Sequence, residues 1–277
     1  MSTLDDELQI AADAIATADA LVFTAGAGMG VDSGLPDFRG DEGFWKAYPP
    51  FRRLGLRFAE LADPRWFRED PGLAWGFYGH RLELYRRTHP HAGFAILARW
   101  ARRPGGAFVF TSNVDGQFQR GGFDEAQIVE CHGAIDWLQC LAHCGMGLFR
   151  ADGIHVHVDD TTGRAAPPWP ECPRCHNLAR PAILMFGDGD WDSSRTEAQE
   201  ARFESWLATT GPKLVVVECG AGTAIPTVRR LSESLTHHPP AHLIRINVRE
   251  PETPSGHSAI SLGAREALVR LDARAGS

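Results

Sequence analysis

Four cysteines fall in two close pairs, Cys140-x3-Cys144 and Cys172-x2-Cys175, with residues 145–171 between them. Two such knuckles offer four thiolates at the spacing that tetrahedral zinc takes. A full set of four protein ligands leaves no position for water, so the metal would be structural. His143 and His176 adjoin the knuckles, and either could replace one thiolate. Cys131 and Cys219 end apolar stretches and read as small buried hydrophobes. Cys131 adjoins His132, which raises the idea of a Cys–His nucleophile. Consecutive strand residues point to opposite faces, however, so these two side chains should diverge.

A second group of residues surrounds a glycine turn. Residues 24–31 read TAGAGMGV and follow directly on the apolar run Ala20–Thr24. A glycine-rich turn after a first strand lets backbone N–H groups approach a pyrophosphate closely. Taken alone, the same turn also describes a tight strand-to-helix connection without a ligand. The dehydrogenase fingerprint G-x-G-x-x-G is not met, because its sixth position is Val31. Pro36 also interrupts any long helix leaving the turn, so the chain there is a loop, which disfavours an ordinary hydride-transfer unit. His132 precedes Gly133 at the end of another apolar run. An imidazole with a pKa of about 6.5 suits the removal of a proton from a hydroxyl group at neutral pH.

Residues 26–40, GAGMGVDSGLPDFRG, closely resemble the GAG-x-S-x-x-SG-I/L-PDFRG signature of the sirtuins, the NAD-dependent protein deacylases. Further segments agree in order and spacing. Thr111-Ser112-Asn113-Val114-Asp115 resembles TQNID, and His132-Gly133 the HG motif with the catalytic histidine. Arg180-Pro181 followed by Phe186-Gly187-Asp188 resembles RP and FGE, while Gly220 to Thr223 and Ile246-Asn247 fall where GTS and IN stand. The resemblance spans roughly residues 8–270.

The resemblance implies NAD as cofactor and one structural Zn2+ per chain, held by Cys140, Cys144, Cys172 and Cys175 in a four-cysteine ribbon. His132 would be the general base, with Asn113 and Asp115 in the nicotinamide pocket as its catalytic partners. Gly26, Ala27 and Gly28 would meet the pyrophosphate, with Ala25 and Ser112 beside them. Asp37, Phe38 and Arg39 would form a cofactor-binding loop, and Gly220, Gly222, Thr223 and Asn247 would lie toward the adenosine half. Phe186, Gly187 and Asp188 would pair with the substrate backbone as an added strand, and Leu184 and Met185 would touch the substrate. In such enzymes the acyl-lysine oxygen displaces nicotinamide from its ribose and the histidine then deprotonates a ribose hydroxyl. The products are free lysine, nicotinamide and an acyl-ADP-ribose ester. The substrates implied are acyl-lysine proteins or peptides.

Three departures from the family pattern stand near the cofactor: Gly30 and Gly222 each replace a serine, and Ser112 replaces a glutamine. Asp188 is one methylene shorter than the family glutamate. Each removes or shortens a polar side chain, so a mono-ADP-ribosyltransferase or NAD hydrolase on the same scaffold is the alternative to a deacylase. A non-catalytic NAD-sensing module is a third reading, opposed by the presence of His132, Asn113 and Asp115. Tyr78-x-x-Arg81 resembles the pair with which some sirtuins hold acidic acyl chains such as succinyl and malonyl. Positions three apart share a helix face, so a phenol and a guanidinium could grip one carboxylate there. The same two residues also fit an ordinary amphipathic helix.

The elements that must position these residues can be read from the apolar runs. Strands are expected at Ala20–Thr24, Ala107–Thr111, Ile128–Cys131, Lys213–Cys219 and His242–Asn247. Helices are expected at Leu8–Ala20, Leu73–Arg87, Gly93–Arg102, Ser194–Thr209 and Pro226–Thr236. Continuous apolar strands alternating with helices give an α/β doubly wound, Rossmann-like parallel sheet. The core would take in about residues 5–41, 93–135 and 184–272 of a single catalytic domain over 1–277. A helical insertion at about 42–92 and a zinc-binding insertion at about 136–183 would form a smaller lobe. The second is poor in periodicity and needs a staple.

The chain has 277 residues, with 28 Lys and Arg against 35 Asp and Glu, a net charge of -7. That sign disfavours broad contact with phosphate backbones, so no direct nucleic acid partner is expected. The longest apolar runs, Phe94–Ala98 and Ala182–Phe186, are far short of the roughly 20 residues that cross a bilayer, so no membrane role is expected. The acidic N-terminus lacks a basic secretory n-region, and a cytoplasmic location with reduced cysteines is expected.

Overall fold

The computed structural model describes residues 3–36, 44, 46, 48–237 and 241–275. In chain order its strands are β1 (Ala20–Ala25), β2 (Ala107–Thr111), β3 (Ile128–Glu130), β4 (Gly133–Cys140), β5 (Phe149–Arg150), β6 (Val158–Asp159), β7 (Arg164–Ala165), β8 (Ala179–Ile183), β9 (Leu214–Cys219), β10 (His242–Ile246) and β11 (Ser258–Ile260). Six of them form one parallel sheet in the order β11-β10-β9-β1-β2-β3. This is the doubly wound α/β core expected from the alternation of strands and helices.

Strand periodicity explains why the central strands are apolar throughout. Leu21, Phe23, Val109, Val215 and Val217 face one apolar cluster, which holds Leu8, Ile15, Leu97 and Leu268 from the helices on that side. The alternate residues Val22, Phe108, Phe110 and Val216 face a second cluster with Phe203 and Leu235. Every residue of β1, β2 and β9 is buried, as a strand covered on both faces requires.

Three elements of the sheet and its covering helices differ from expectation. The first helix runs Leu4–Thr17, starting earlier than its apolar spacing suggests, because Thr3 and Asp6 form a reciprocal capping box that satisfies the first turn. Strand β11 and the helix Ala264–Ala275 were not anticipated; the strand is three residues long and exists by pairing with Ile244 to Ile246.

The chain builds outward from β1 through β2 to β3, then returns to β9 and continues through β10 to β11 on the other side. The order therefore reverses between β1 and β9, and the crevice at their carboxyl ends is where such sheets bind ligands. The glycine turn after β1 and the loop after β9 meet there. Gly26 N–H donates to the Cys219 carbonyl at 3.0 Å, and Gly28 N–H to the Gly220 carbonyl at 3.0 Å.

A smaller lobe covers this end. Strands β5, β4 and β8 form an antiparallel sheet and β6 pairs with β7. One apolar cluster joins Phe44, Phe51, Phe67, Trp75 and Phe77 to Ile135, Leu138 and Ile183 of that sheet. Among the described residues no helix is long and apolar enough to cross a membrane.

Candidate active site

The loops after β1, β2 and β9 and the end of β8 enclose a cavity of about 400 Å3. Of the residues singled out from the sequence, Gly26, Ala27, Ser112, Asn113, Asp115, His132 and Gly222 line it. So do Tyr78, Arg81, Leu184, Met185 and Phe186. Ala25, Gly28, Gly220, Thr223, Asn247 and Gly187 do not; they frame the loops behind it. Asp37, Phe38 and Arg39 lie outside the described residues.

The glycine turn is more internally bonded than a pyrophosphate cradle suggests. Besides the N–H groups of Gly26 and Gly28, that of Gly220 is engaged by the Ile246 carbonyl at 2.9 Å. Thr223 donates both its N–H and its hydroxyl to the Glu250 carboxylate. Among the described residues, Ala27, Ala221 and Gly222 keep backbone N–H groups without a protein acceptor, all three at the cavity wall. These are the donors that fit a pyrophosphate. Asn247 acts from behind: its Nδ2 donates to the Ala221 carbonyl at 2.7 Å, and its Oδ1 accepts from Arg249 and Glu250 N–H. Its side chain fixes the loop that follows β9.

Asn113 ties β2 to the glycine turn, its Nδ2 donating to the Gly26 carbonyl at 3.0 Å. Asp115 is buried, and burial pushes its carboxyl above the usual range although Gln117 N–H bonds Oδ1 at 2.9 Å. The expected serine is missing at Gly30; a Cβ there would sit 3.2 Å from Leu35 and 3.6 Å from Asp115 Oδ2. His132 is aimed by the next residue. Gly133 has φ 75°, and a Cβ on it would lie 1.9 Å from the Ala182 carbonyl, so only glycine lets β8 come this close. The His132 carbonyl then accepts from Leu184 N–H at 3.0 Å. Burial holds the imidazole below its ordinary pKa, so the ring stays neutral and basic at neutral pH. Cys131 points away into the apolar cluster beneath the sheet, and burial pushes its thiol up. The Cys–His nucleophile is excluded.

Two features of the substrate segment constrain the added strand expected there. The N–H groups of Leu184, Met185 and Phe186 bond to His132, Asp188 and Ala62 respectively, so an added strand must pair through other groups of this segment. The Asp188 carboxylate does not face the cavity but pairs with Arg180 in the interior. Leu184, Phe186 and Ile225 stand exposed at the mouth.

Tyr78 and Arg81 do share one face of the helix Pro71–Arg87 and both line the cavity. Sequence reading missed Tyr85, one turn further on. Its hydroxyl accepts from Arg81 Nε at 3.0 Å and from Nη2 at 2.8 Å. The i, i+4 spacing from Arg81 was the available signal.

The four cysteine sulfurs lie within 4.8 Å of one another, with Cys140 to Cys175 and Cys144 to Cys172 each 3.5 Å apart. A tetrahedron with Zn–S bonds of about 2.3 Å has S···S edges of about 3.8 Å, so the donor set fits zinc. Asn177 donates to Cys175 from its backbone and side chain, pushing that thiol down to about 6. His143 and His176 approach Asp190 and Glu171 instead, at 3.9 and 3.8 Å, so neither replaces a thiolate.

The Sir2 family model matches residues 26–217. NAD-dependent protein deacylase 2 of Pyrobaculum aerophilum is 33% identical over 94% of this chain and 92% of its own. A NAD-dependent protein deacylase of Thermus thermophilus is 29% identical over 96% of this chain and 94% of its own. The fold matches a solved complex of a Sir2 homologue variant with ADP-ribose at TM-score 0.73 and 25% identity, covering 96% and 95% of the two chains.

Proposed function

Because the chain belongs to the Sir2 family, we propose that it is a NAD-dependent protein-lysine deacylase whose general base is His132. The observation that carries the reading is a single cavity at the sheet's switch point, which holds a neutral imidazole beside Asn113, Asp115 and the open N–H groups of the two glycine loops. NAD, when bound, supplies a ribose carbon from which nicotinamide departs and which takes up the acyl oxygen. The N–H groups of Ala27, Ala221 and Gly222 would hold its pyrophosphate. Asn113 and Asp115 would orient the nicotinamide end. His132 Nδ1 or Nε2 would take the proton from a ribose hydroxyl, for which its lowered pKa keeps a lone pair available. Leu184, Met185 and Phe186 would guide the acyl-lysine inward and keep water from the reacting centre.

Tyr78 and Arg81 support a finer reading, in which acyl chains ending in a carboxylate, such as succinyl or malonyl, are accepted along with acetyl. A buried guanidinium at the cavity wall offers a two-pronged contact to a carboxylate and nothing comparable to a methyl group. Gly30 and Gly222 favour the competing ADP-ribosyl transfer or NAD hydrolysis, since each leaves the cofactor side of the cavity with one polar side chain fewer.

Mass spectrometry of the purified protein with NAD and a panel of acyl-lysine peptides tests these readings together. Acyl-ADP-ribose and free lysine are expected. ADP-ribose attached to protein, or free ADP-ribose with the acyl group untouched, would replace deacylation by one of the alternatives.

A further inference from the structure

The glycine turn runs on into a helix of four residues, Gly28–Val31, a single turn too short to be stable by itself. Ser33 N–H, which a regular α-helix would give to the Met29 carbonyl, goes to the Gly30 carbonyl at 3.0 Å. The Met29 carbonyl is met instead by His91 Nε2 at 2.9 Å. His91 caps the helix Ala92–Trp100, its Nδ1 accepting from Gly93 N–H at 3.0 Å. An acceptor at Nδ1 places the ring proton on Nε2, so the imidazole is neutral and donates to Met29. Burial favours the same neutral form. Glycine at position 93 makes room for the ring, since a Cβ there would fall 2.5 Å from His91 Cε1 and 2.8 Å from Nδ1. The main chain of residue 91 makes a second tie, its N–H donating to Ser33 Oγ at 3.0 Å.

We propose that His91 is a positioning residue for the cofactor, which works from outside the cavity by holding the turn that carries Ala27 and Gly30. The inference rests on the reading above that this turn takes the pyrophosphate of NAD. Ala27 and Gly30 line the cavity, and His91 does not. Behind His91, the helix Ala92–Trp100 sends Phe94, Leu97 and Trp100 into the main apolar cluster, so whatever the imidazole holds is held to the core. The ring also packs on Phe94, with 4.9 Å between centroids. Asp32 ties the far end of the same turn, its Oδ2 accepting from Arg265 N–H at 2.8 Å at the start of the helix Ala264–Ala275. A backbone N–H binds a phosphate oxygen only over a narrow range of directions. Fixing the turn before the ligand arrives removes the cost of ordering it on binding.

Two amides divide the work of the imidazole. Asparagine puts its side-chain oxygen where Nδ1 stands and reaches no further; glutamine puts its nitrogen where Nε2 stands and has nothing at Nδ1. His91→Asn should therefore keep the helix cap and lose the tie to Met29. Calorimetric titration should find NAD and ADP-ribose both weakened about fivefold, the scale of one hydrogen bond. KM for NAD should rise with it, while kcat at saturating NAD and KM for the acyl peptide hold. His91→Gln should melt about 2–4 °C lower for want of its cap, yet bind NAD within about twofold of the wild type. A role in stability alone would make affinity follow the melting temperature in both variants. His91→Asn that binds NAD as the wild type does, or His91→Gln that binds no better than His91→Asn, would overturn the proposal. The wild type separates the two levels. If it binds neither NAD nor ADP-ribose, the cofactor reading falls and this inference with it. If it binds both and His91→Asn matches it, only the role of His91 falls.

Discussion

Arg180 and Asp188 face each other in a two-pronged ion pair, Nη1 to Oδ2 and Nη2 to Oδ1 both at 2.8 Å, with side chains 1% and 0% exposed. Asp188 Oδ2 also accepts from Met185 N–H at 3.2 Å, so the pair draws the segment 185–188 into a fixed loop at the cavity mouth. An aspartate is long enough to reach the guanidinium here with both carboxylate oxygens.

Removing one partner of such a pair strands a buried charge. Asp188→Ala should cost about 3–5 kcal/mol of stability, read by urea denaturation, and should raise KM for every acyl peptide. A loss below about 1 kcal/mol would mean that the pair is not sealed from solvent.

The purified protein should contain close to one zinc per chain, and Cys172→Ala should lose the metal and melt at a lower temperature. Cys172 is fully buried in the knuckle, so its loss cannot be made good by a water. Metal analysis of freshly purified, folded protein that finds no zinc would end the assignment.

His132→Ala should lower deacylation by about 10²–10⁴-fold with the melting temperature near that of the wild type, as expected for a base that works on the chemistry alone. Burial depresses the imidazole pKa, so the midpoint of its protonation lies below the ordinary value of 6.5. The wild-type kcat/KM should therefore fall on an acid limb centred below 6.5, and the variant's residual rate should lack that limb. A limb centred above 6.5 would contradict the buried, neutral ring.

Arg81→Met should remove most of any preference for succinyl- or malonyl-lysine over acetyl-lysine. Charged hydrogen bonds run at about 1.5–3 kcal/mol, so the ratio of kcat/KM should drop at least tenfold. An equal loss on all acyl chains would make the arginine a structural member of the helix and leave an apolar acyl pocket lined from Leu184 and Met185.

Much of this was legible in advance because the signals were local. Strands such as Ala107–Thr111 are continuous apolar runs, and the cysteine spacing stands in the chain whatever the fold. What escaped depends on partners far away in sequence. Strand β11 exists only against β10, and β8 only against β4, in a stretch whose residues alternate too irregularly to announce a sheet. The engagement of Gly26 and Gly28 N–H by the last residue of β9 and the one after it links positions nearly two hundred residues apart, so a motif that looked like a row of open donors offers fewer. Asp188 is a different case: its partner Arg180 is only eight residues away, but nothing in that stretch says which way a loop carboxylate will face.

The helix Pro71–Arg87 presents Tyr78, Arg81 and Tyr85 to the cavity on one side and is bound on the other to the stretch from β5 to β8 that includes the second knuckle. A Cβ on Gly76 would fall 2.0 Å from the Gly163 carbonyl. Arg86 reaches the carbonyls of Ala151 and Ile154, Asp70 holds Arg164, and Trp75 Nε1 donates to the Ala179 carbonyl. The cavity wall and the cysteine-bearing lobe therefore share one mechanical frame. A change in the length of the stretch between Cys144 and Cys172 should therefore move this helix and, with it, the wall of the cavity.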